Sequence, residues 1–514
     1  MTTYFMYVLI FIISILNFSS VTSASVYVTY ILSYENTEST NINIQIQFTN
    51  DRNTELHLQG PQIFIMPRAI PSGYNLQFYD LYVENLIAKT TDESIIPIKK
   101  DSTGGPRWIL EFTANQTLSN ISYSINLTKH EKGILSGGDS SKIRLHQYIS
   151  ILGYSVFGYL EQMDNKEDFP IMLIIHSPSD WPIHCTLVSG IAKNYYHLAD
   201  SQIYMGPNLI YKYASIPFDQ SNIQIDNKLT FKQEQNKTTL SFYVIIYTED
   251  VENLNTDMVF NLSVQAMRNL LIYYDTKNNN TCPFLFYTVG IEMIKPLDDS
   301  HTYGFSMEHL YSCTIDVQYG TGINKNSTQD NITRFQYNLA HHIQHAWVPK
   351  RLFSTYYYPF TFELPPVIDT IWFNEGFGQY LAMDAMANVL PSDESEQYRD
   401  YLMKNRFEYF YHLAPLFIQQ MPLKYLSTIA SSFYAIDFRT GSHLFARGAL
   451  MARDIDDWIQ SKTQKQKSLR DGIAYMIKWS ECNSYKVAFI MEQFPMFFLN
   501  ATDIDITPVL NKWL

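Results

Sequence analysis

Along the first third of the chain, hydrophobic and polar residues alternate with a period of two. Val26-Tyr27-Val28-Thr29-Tyr30-Ile31 and Ile42-Asn43-Ile44-Gln45-Ile46-Gln47-Phe48 each turn every second side chain to one face. That is the pattern of strands buried on one side. Asn, Gly and Pro punctuate these runs up to about Tyr159, as in a β-sandwich. The run Pro67-Arg68-Ala69-Ile70-Pro71-Ser72-Gly73-Tyr74 reads as a rigid turn within that region. From about 170 to 320 the pattern is mixed. Ile171-Met172-Leu173-Ile174-Ile175 and Phe242-Tyr243-Val244-Ile245-Ile246-Tyr247 read as strands. Met258, Leu262, Val264, Met267, Leu270 and Leu271 recur with helical spacing. Beyond Thr328 the helical period dominates, interrupted by loops near 356–366 and 391–393. The expectation is an α+β, multidomain chain: an N-terminal β-sandwich domain over 25–190, then a catalytic-type domain over 191–514 with a helical C-terminal part.

The chain's start changes this picture. Tyr4 to Phe18 is almost continuously apolar, and Val21-Thr22-Ser23-Ala24 offers the small residues of a cleavage site. Residues 1–24 therefore read as a signal peptide, and the protein as secreted or in the secretory pathway. No Lys or Arg precedes the run, so tethering to a membrane by an uncleaved signal anchor is the alternative. No later stretch approaches the roughly 18 apolar residues of a spanning helix. Asn-x-Ser/Thr triplets such as those at Asn115, Asn126, Asn261 and Asn331 agree with a secreted glycoprotein.

Composition narrows the function classes. Of 514 residues, 46% are hydrophobic and 17% charged, enough for packed cores. A formal net charge of -13 excludes nucleic acid as the partner, because that binding rests on Lys and Arg meeting phosphates. The 4 cysteines allow three pairings, and their spacing resembles neither a zinc knuckle nor a disulfide scaffold.

The chemistry concentrates later in the chain. In His341-His342-Ile343-Gln344-His345, His341 and His345 lie one turn apart on one helix face. Two imidazoles so placed can reach a single Zn2+. Further on, Thr370-Ile371-Trp372-Phe373-Asn374-Glu375-Gly376-Phe377-Gly378 opens a second helix. Glu375 stands there among aromatic and small residues, where a lone charge is costly and a cation would relieve it.

These motifs together resemble the gluzincin zinc metallopeptidases, in which the third zinc ligand is a glutamate on the next helix. His345-Ala346-Trp347-Val348-Pro349-Lys350-Arg351 resembles the H-x-W-N-V-K-R of the glycyl aminopeptidase family (peptidase family sixty-one). The separation of His345 from Glu375, 375 − 345 = 30 residues, matches that family too. The resemblance implies a thermolysin-like catalytic domain, Zn2+ held by His341, His345 and Glu375, and peptide or protein N-termini as partners. Gly304-Phe305-Ser306-Met307-Glu308-His309-Leu310-Tyr311-Ser312 resembles the family's G-G-L-E-H-x-x-S strand, which makes Glu308 the anchor for a substrate's free amine. Phe305-Ser306 stands where the family has a pair of small residues. Only 514 − 448 = 66 residues follow Gly448, so no PDZ domain is expected after it.

Two departures bear on catalysis. The general-base glutamate of HExxH is replaced by His342, which brings no negative charge. It can hydrogen-bond the water or become a further ligand instead. The tyrosine of the family's Y-Y-x-K-G helix start, which donates to the oxyanion, is replaced by Phe445, and its lysine by Arg447. Loss of a general base costs about 10²–10⁴ in rate, and loss of an oxyanion donor about 10²–10³. The leading expectation is an aminopeptidase-like metallopeptidase that is inactive or strongly impaired, a pseudoenzyme. One alternative is an active zinc aminopeptidase removing small N-terminal residues with His342 as substitute base, helped by His443 or Tyr434. The other is a non-catalytic peptide-binding protein, or one that regulates an active relative.

Overall fold

The computed structural model describes residues 28–514 apart from 50–55, 72, 75, 135–136, 219–223, 227–238, 275–281, 302, 356, 358–359 and 434–437. The N-terminal apolar run lies outside the described residues. Among those described, no helix is long and apolar enough to cross a membrane.

The alternating runs form strands as expected. Val28–Ser33 pairs antiparallel with Asn41–Phe48 and parallel with Ile171–His176. They sit in a seven-stranded sheet ordered Ile191–Ala192, Ile171–His176, Val28–Ser33, Asn41–Phe48, Leu118–Asn126, Val83–Thr90 and Ile95–Ile96. Ile42, Ile44 and Ile46 point inward while Asn43 and Gln47 face outward, so the period of two is the burial pattern itself. Two four-stranded sheets complete the front of the molecule. All three share one core, filled by side chains such as Tyr30, Phe64, Tyr159 and Ile203.

A second core runs from Ala214 onward and takes in Tyr74 from the front of the chain. It is built on a six-stranded sheet in which Thr239–Thr248, Phe286–Met293 and Ser312–Asp316 run parallel. The helix Thr256–Tyr273 follows the first of these strands, as its apolar spacing predicts. Ser306–Glu308 is the antiparallel edge strand, with Glu308 opposite Cys313. Helices make up most of the remainder, from Gln329–Gln344 to Thr507–Leu510. The molecule is thus a mixed α+β, multidomain fold with a β-sheet front and a helical C-terminal part.

Candidate metal centre

Two helices carry the three candidate ligands. Gln329–Gln344 begins where Thr328 accepts the Asn331 N–H, with Asp330 in the favourable first turn. This helix ends at Gln344, and His345 is its C-cap. The next six residues turn sharply, with Lys350 N–H donating to the His345 carbonyl at 3.2 Å. Glu375 sits in a π-helical turn, Trp372–Phe377, which continues as the α-helix Gly378–Ala387. One extra residue in that turn shifts the side chains before it around the axis, a device frequent at functional sites.

Glycines let these elements approach. A Cβ on Gly378 would lie 2.3 Å from Gln344 Nε2 on the histidine helix. A Cβ on Gly376 would lie 2.4 Å from Gly448 Cα, and one on Gly448 2.4 Å from the Trp372 carbonyl. Helix Phe438–Thr463 therefore crosses the Glu375 turn backbone against backbone.

The result is a nearly equilateral triangle. His341 Nε2 lies 3.3 Å from His345 Nε2, and Glu375 Oε2 lies 3.4 and 3.5 Å from the two nitrogens. Ligands about 2.0–2.1 Å from a tetrahedral zinc ion stand roughly 3.3–3.4 Å from one another. His345 Nδ1 donates to the Val348 carbonyl at 2.8 Å, which leaves Nε2 facing the triangle. Gln379 Nε2 lies 3.3 Å from His341 Nε2, and its Oε1 accepts from Arg406 Nε at 2.9 Å and from the Tyr337 hydroxyl. All three candidate ligands are buried. The donor set, two imidazoles and a carboxylate, fits zinc.

Electrostatics agree. Burial pushes the Glu375 carboxyl up, but His345 and His341 outweigh it and hold the group well below the usual carboxylate range. Burial opposes charging His345, yet Glu308 and Glu375 together raise it to about 9. Burial, with His345 beside it, takes His341 down to about 4. His342 is lowered well below its ordinary value by burial and by the two neighbouring histidines. Its ring lies 4.9 Å from that of His341, and its Nδ1 is buried without a hydrogen-bond partner.

Glu308 joins the group: one ligand atom from each of Glu308, His345 and Glu375 falls within 4.8 Å of the others. Burial raises its carboxyl to about 7 against the opposing pull of His345. Phe305 packs edge-on against Phe438 at 5.4 Å, and Phe438 against Phe445 at 6.5 Å. An aromatic row thus runs from the edge strand to the helix that carries Phe445. His443 stacks on Tyr411 at 5.7 Å; Tyr434 lies outside the described residues.

Three residues from the front of the chain also reach this region, and no motif announced them. Tyr74 accepts from Asn374 Nδ2 at 3.3 Å. The Pro71 carbonyl accepts from Lys350 Nζ at 3.4 Å. Asp200 is ion-paired with Lys350 at 3.0 Å. The turn at 67–74, which reads from sequence as structural, thus also touches Asn374 and Lys350 through Tyr74 and Pro71.

Residues 29–207 match the model of the Peptidase M61 N-terminal domain. The front of the chain is a peptidase M61 N-terminal domain. That is the family whose motifs the back of the chain resembles. Its fold is that of an aminopeptidase N family protein from Idiomarina loihiensis, at 17% identity and a TM-score of 0.72, over 95% of this chain and 76% of that one. An M1 zinc metallopeptidase variant from Deinococcus radiodurans, bound to a Tyr-Ser-Ala substrate, is similar at 10% identity and a TM-score of 0.50, over 95% and 93%. None of the curated proteins matches. The chain therefore has the fold of these aminopeptidase-type metallopeptidases.

Proposed function

We propose that this M61-type protein holds zinc in the His341–His345–Glu375 triangle and a peptide's free amine at Glu308, but is inactive or severely impaired in hydrolysis. The observation that supports this most is a ligand triangle of zinc dimensions with an imidazole, His342, in place of the base and a phenyl ring, Phe445, in place of the oxyanion donor. Zinc when bound supplies a Lewis acid and a water whose pKa is near 7. His341 and His345 present ring nitrogens to it, and Glu375 offsets its charge. Glu308 offers a buried carboxylate to one positive charge. Where HExxH has the glutamate that takes a proton from the water and hands it to the leaving amine stands the imidazole of His342, and the Phe445 ring donates nothing to the oxyanion.

The apolar run at the chain's start supports a secreted glycoprotein, and the retained amine anchor supports a role in capturing peptide N-termini or regulating an active relative. Aminoacyl-coumarin turnover tests the catalytic part. The expected result is about one zinc per chain and negligible cleavage, with turnover appearing when His342→Glu and Phe445→Tyr are combined. Brisk cleavage by the wild type that disappears in Glu375→Ala rejects the impairment. It favours the reading of an active aminopeptidase that uses His342 as base.

A further inference from the structure

Beyond the triangle, one buried carboxylate meets the two segments that carry the amine anchor and the metal histidines. Asp200 follows the helix Tyr195–Ala199 in the front domain and is 3% exposed. Its Oδ2 accepts the Leu310 N–H at 2.5 Å, and its Oδ1 accepts from His309 Nδ1 at 3.3 Å. His309 and Leu310 are the two residues directly after Glu308. Oδ1 also takes Lys350 Nζ at 3.0 Å, and Lys350 closes the turn that begins at His345. The same stretch is held from the other side, where Arg351 Nη1 donates to the Leu310 carbonyl at 3.0 Å. A carboxylate accepting three donors, one of them charged, is a stiff joint.

A second negative group acts on Lys350 through space. The lysine side chain is wholly buried, and its charge acts on Glu308 as well as on Asp200. A buried ammonium takes whichever carboxylate is available. If Lys350 turned to Glu308, it would fill the place that an incoming amine needs.

We propose that Asp200 is the positioning residue of the amine site: it fixes the end of the Glu308 strand and engages Lys350, which keeps the Glu308 carboxylate free for a peptide's N-terminal ammonium. The inference rests on the proposed amine-binding role of Glu308. The ligand class is a peptide with a free, protonated N-terminus, and the specificity lies in rejecting the same peptide once that amine is blocked.

The experiment uses the full zinc-loaded chain and two fluorescent probes, a peptide beginning Gly-Ala with a free amine and its N-acetylated copy. The wild type is expected to prefer the free amine. Asp200→Asn should lower that preference by about tenfold or more, one decade in Kd, with bound zinc unchanged. Combining Asp200→Asn with Lys350→Met, which removes the freed ammonium, should restore most of it, and a purely structural role for Asp200 predicts no such recovery. The double variant also guards against misfolding, since it leaves no unpaired buried charge. An unchanged preference in Asp200→Asn overturns the proposal, as does failure of the double variant to recover while it stays folded. Hydrogen exchange of the Leu310 amide separates the two layers. A wild type that prefers neither probe rejects the amine-binding reading, and the proposal with it. Full Leu310 protection in Asp200→Ala, which has no acceptor for that amide, rejects the joint itself.

Discussion

His345 is asked to do two incompatible things with its Nε2. Without an ion it gains from protonation, because Glu308 and Glu375 face it and raise it to about 9; with zinc that nitrogen must be bare. The sign follows. A histidine whose folded-state pKa lies above its unfolded value of about 6.5 stabilises the metal-free fold below that value and loses the effect as pH rises through about 9. Zinc entering at pH 7 must therefore displace a proton. Calorimetry in two buffers of different ionisation enthalpy should show about one proton released per zinc, and less in Glu308→Gln, where the carboxylate that does most to raise His345 is gone while the three ligands stay. Equal heats in the two buffers would sink this account. The same residues mark what a sequence can show. His341, His345 and Glu375 were legible because helix geometry fixes i and i+4 neighbours and because a glutamate among aromatics needs a partner. Asp200 and Tyr74 were not, since nothing local ties them to a site far along the chain.

Helix crossings set the triangle's size. Gly376 and Gly448 meet where the π-helical turn passes helix Phe438–Thr463, and a methyl group on either would fall within 2.4 Å of backbone atoms. Backbone cannot step aside as a flexible side chain can, so Gly448→Ala must push the two elements apart. The expected cost is about 1–3 kcal/mol of stability from overpacking. The displaced Glu375 turn should also weaken zinc binding by roughly 10–100-fold, the scale seen when groups that orient ligands are lost. A urea midpoint and a chelator competition read the two effects separately. Unchanged zinc affinity alongside lowered stability would show that the crossing does not govern the triangle. Periodicity revealed both helices, but not this detail. The π turn adds a single residue to a helical pattern, and the end of the histidine helix at Gln344 follows from the turn after it. The β-strands were easier: their alternation is imposed directly by one buried face, as Asn41–Phe48 shows.

Across the whole molecule, the front domain and the back sheet meet through buried polar pairs as well as apolar contact. Lys142, on the short strand Lys142–Arg144, reaches across to Glu292 at 2.5 Å and to Asp316 at 3.5 Å, on adjacent strands of the back sheet. Tyr148 donates to Glu292 at 2.5 Å, and His184 lies 2.9 Å from Thr288. One ammonium faces two carboxylates, and they divide the charge unequally. Burial raises both, but Lys142 brings Glu292 down to about 2, whereas Asp316 stays well above the ordinary range. Glu292 is thus the closer partner of Lys142, while burial and the Glu292 charge push Asp316 towards its neutral form. Two substitutions should then differ sharply. Lys142→Met strips Glu292 of the cation 2.5 Å away and should cost about 3–5 kcal/mol, the penalty for stranding a buried charge. Asp316→Asn swaps one neutral group for another of like size and should cost no more than about 1 kcal/mol, the worth of one ordinary hydrogen bond. The pH dependence is signed as well: the Glu292 contribution is present above its unfolded value near 4.5 and disappears as pH falls towards 2. Urea unfolding of both variants at pH 7 decides the matter. Because the pair joins the two cores, Lys142→Met should also split a single transition into two, the front unfolding apart from the back. Equal losses in the two variants would instead mean that both carboxylates carry charge, and that the two halves are joined by packing alone.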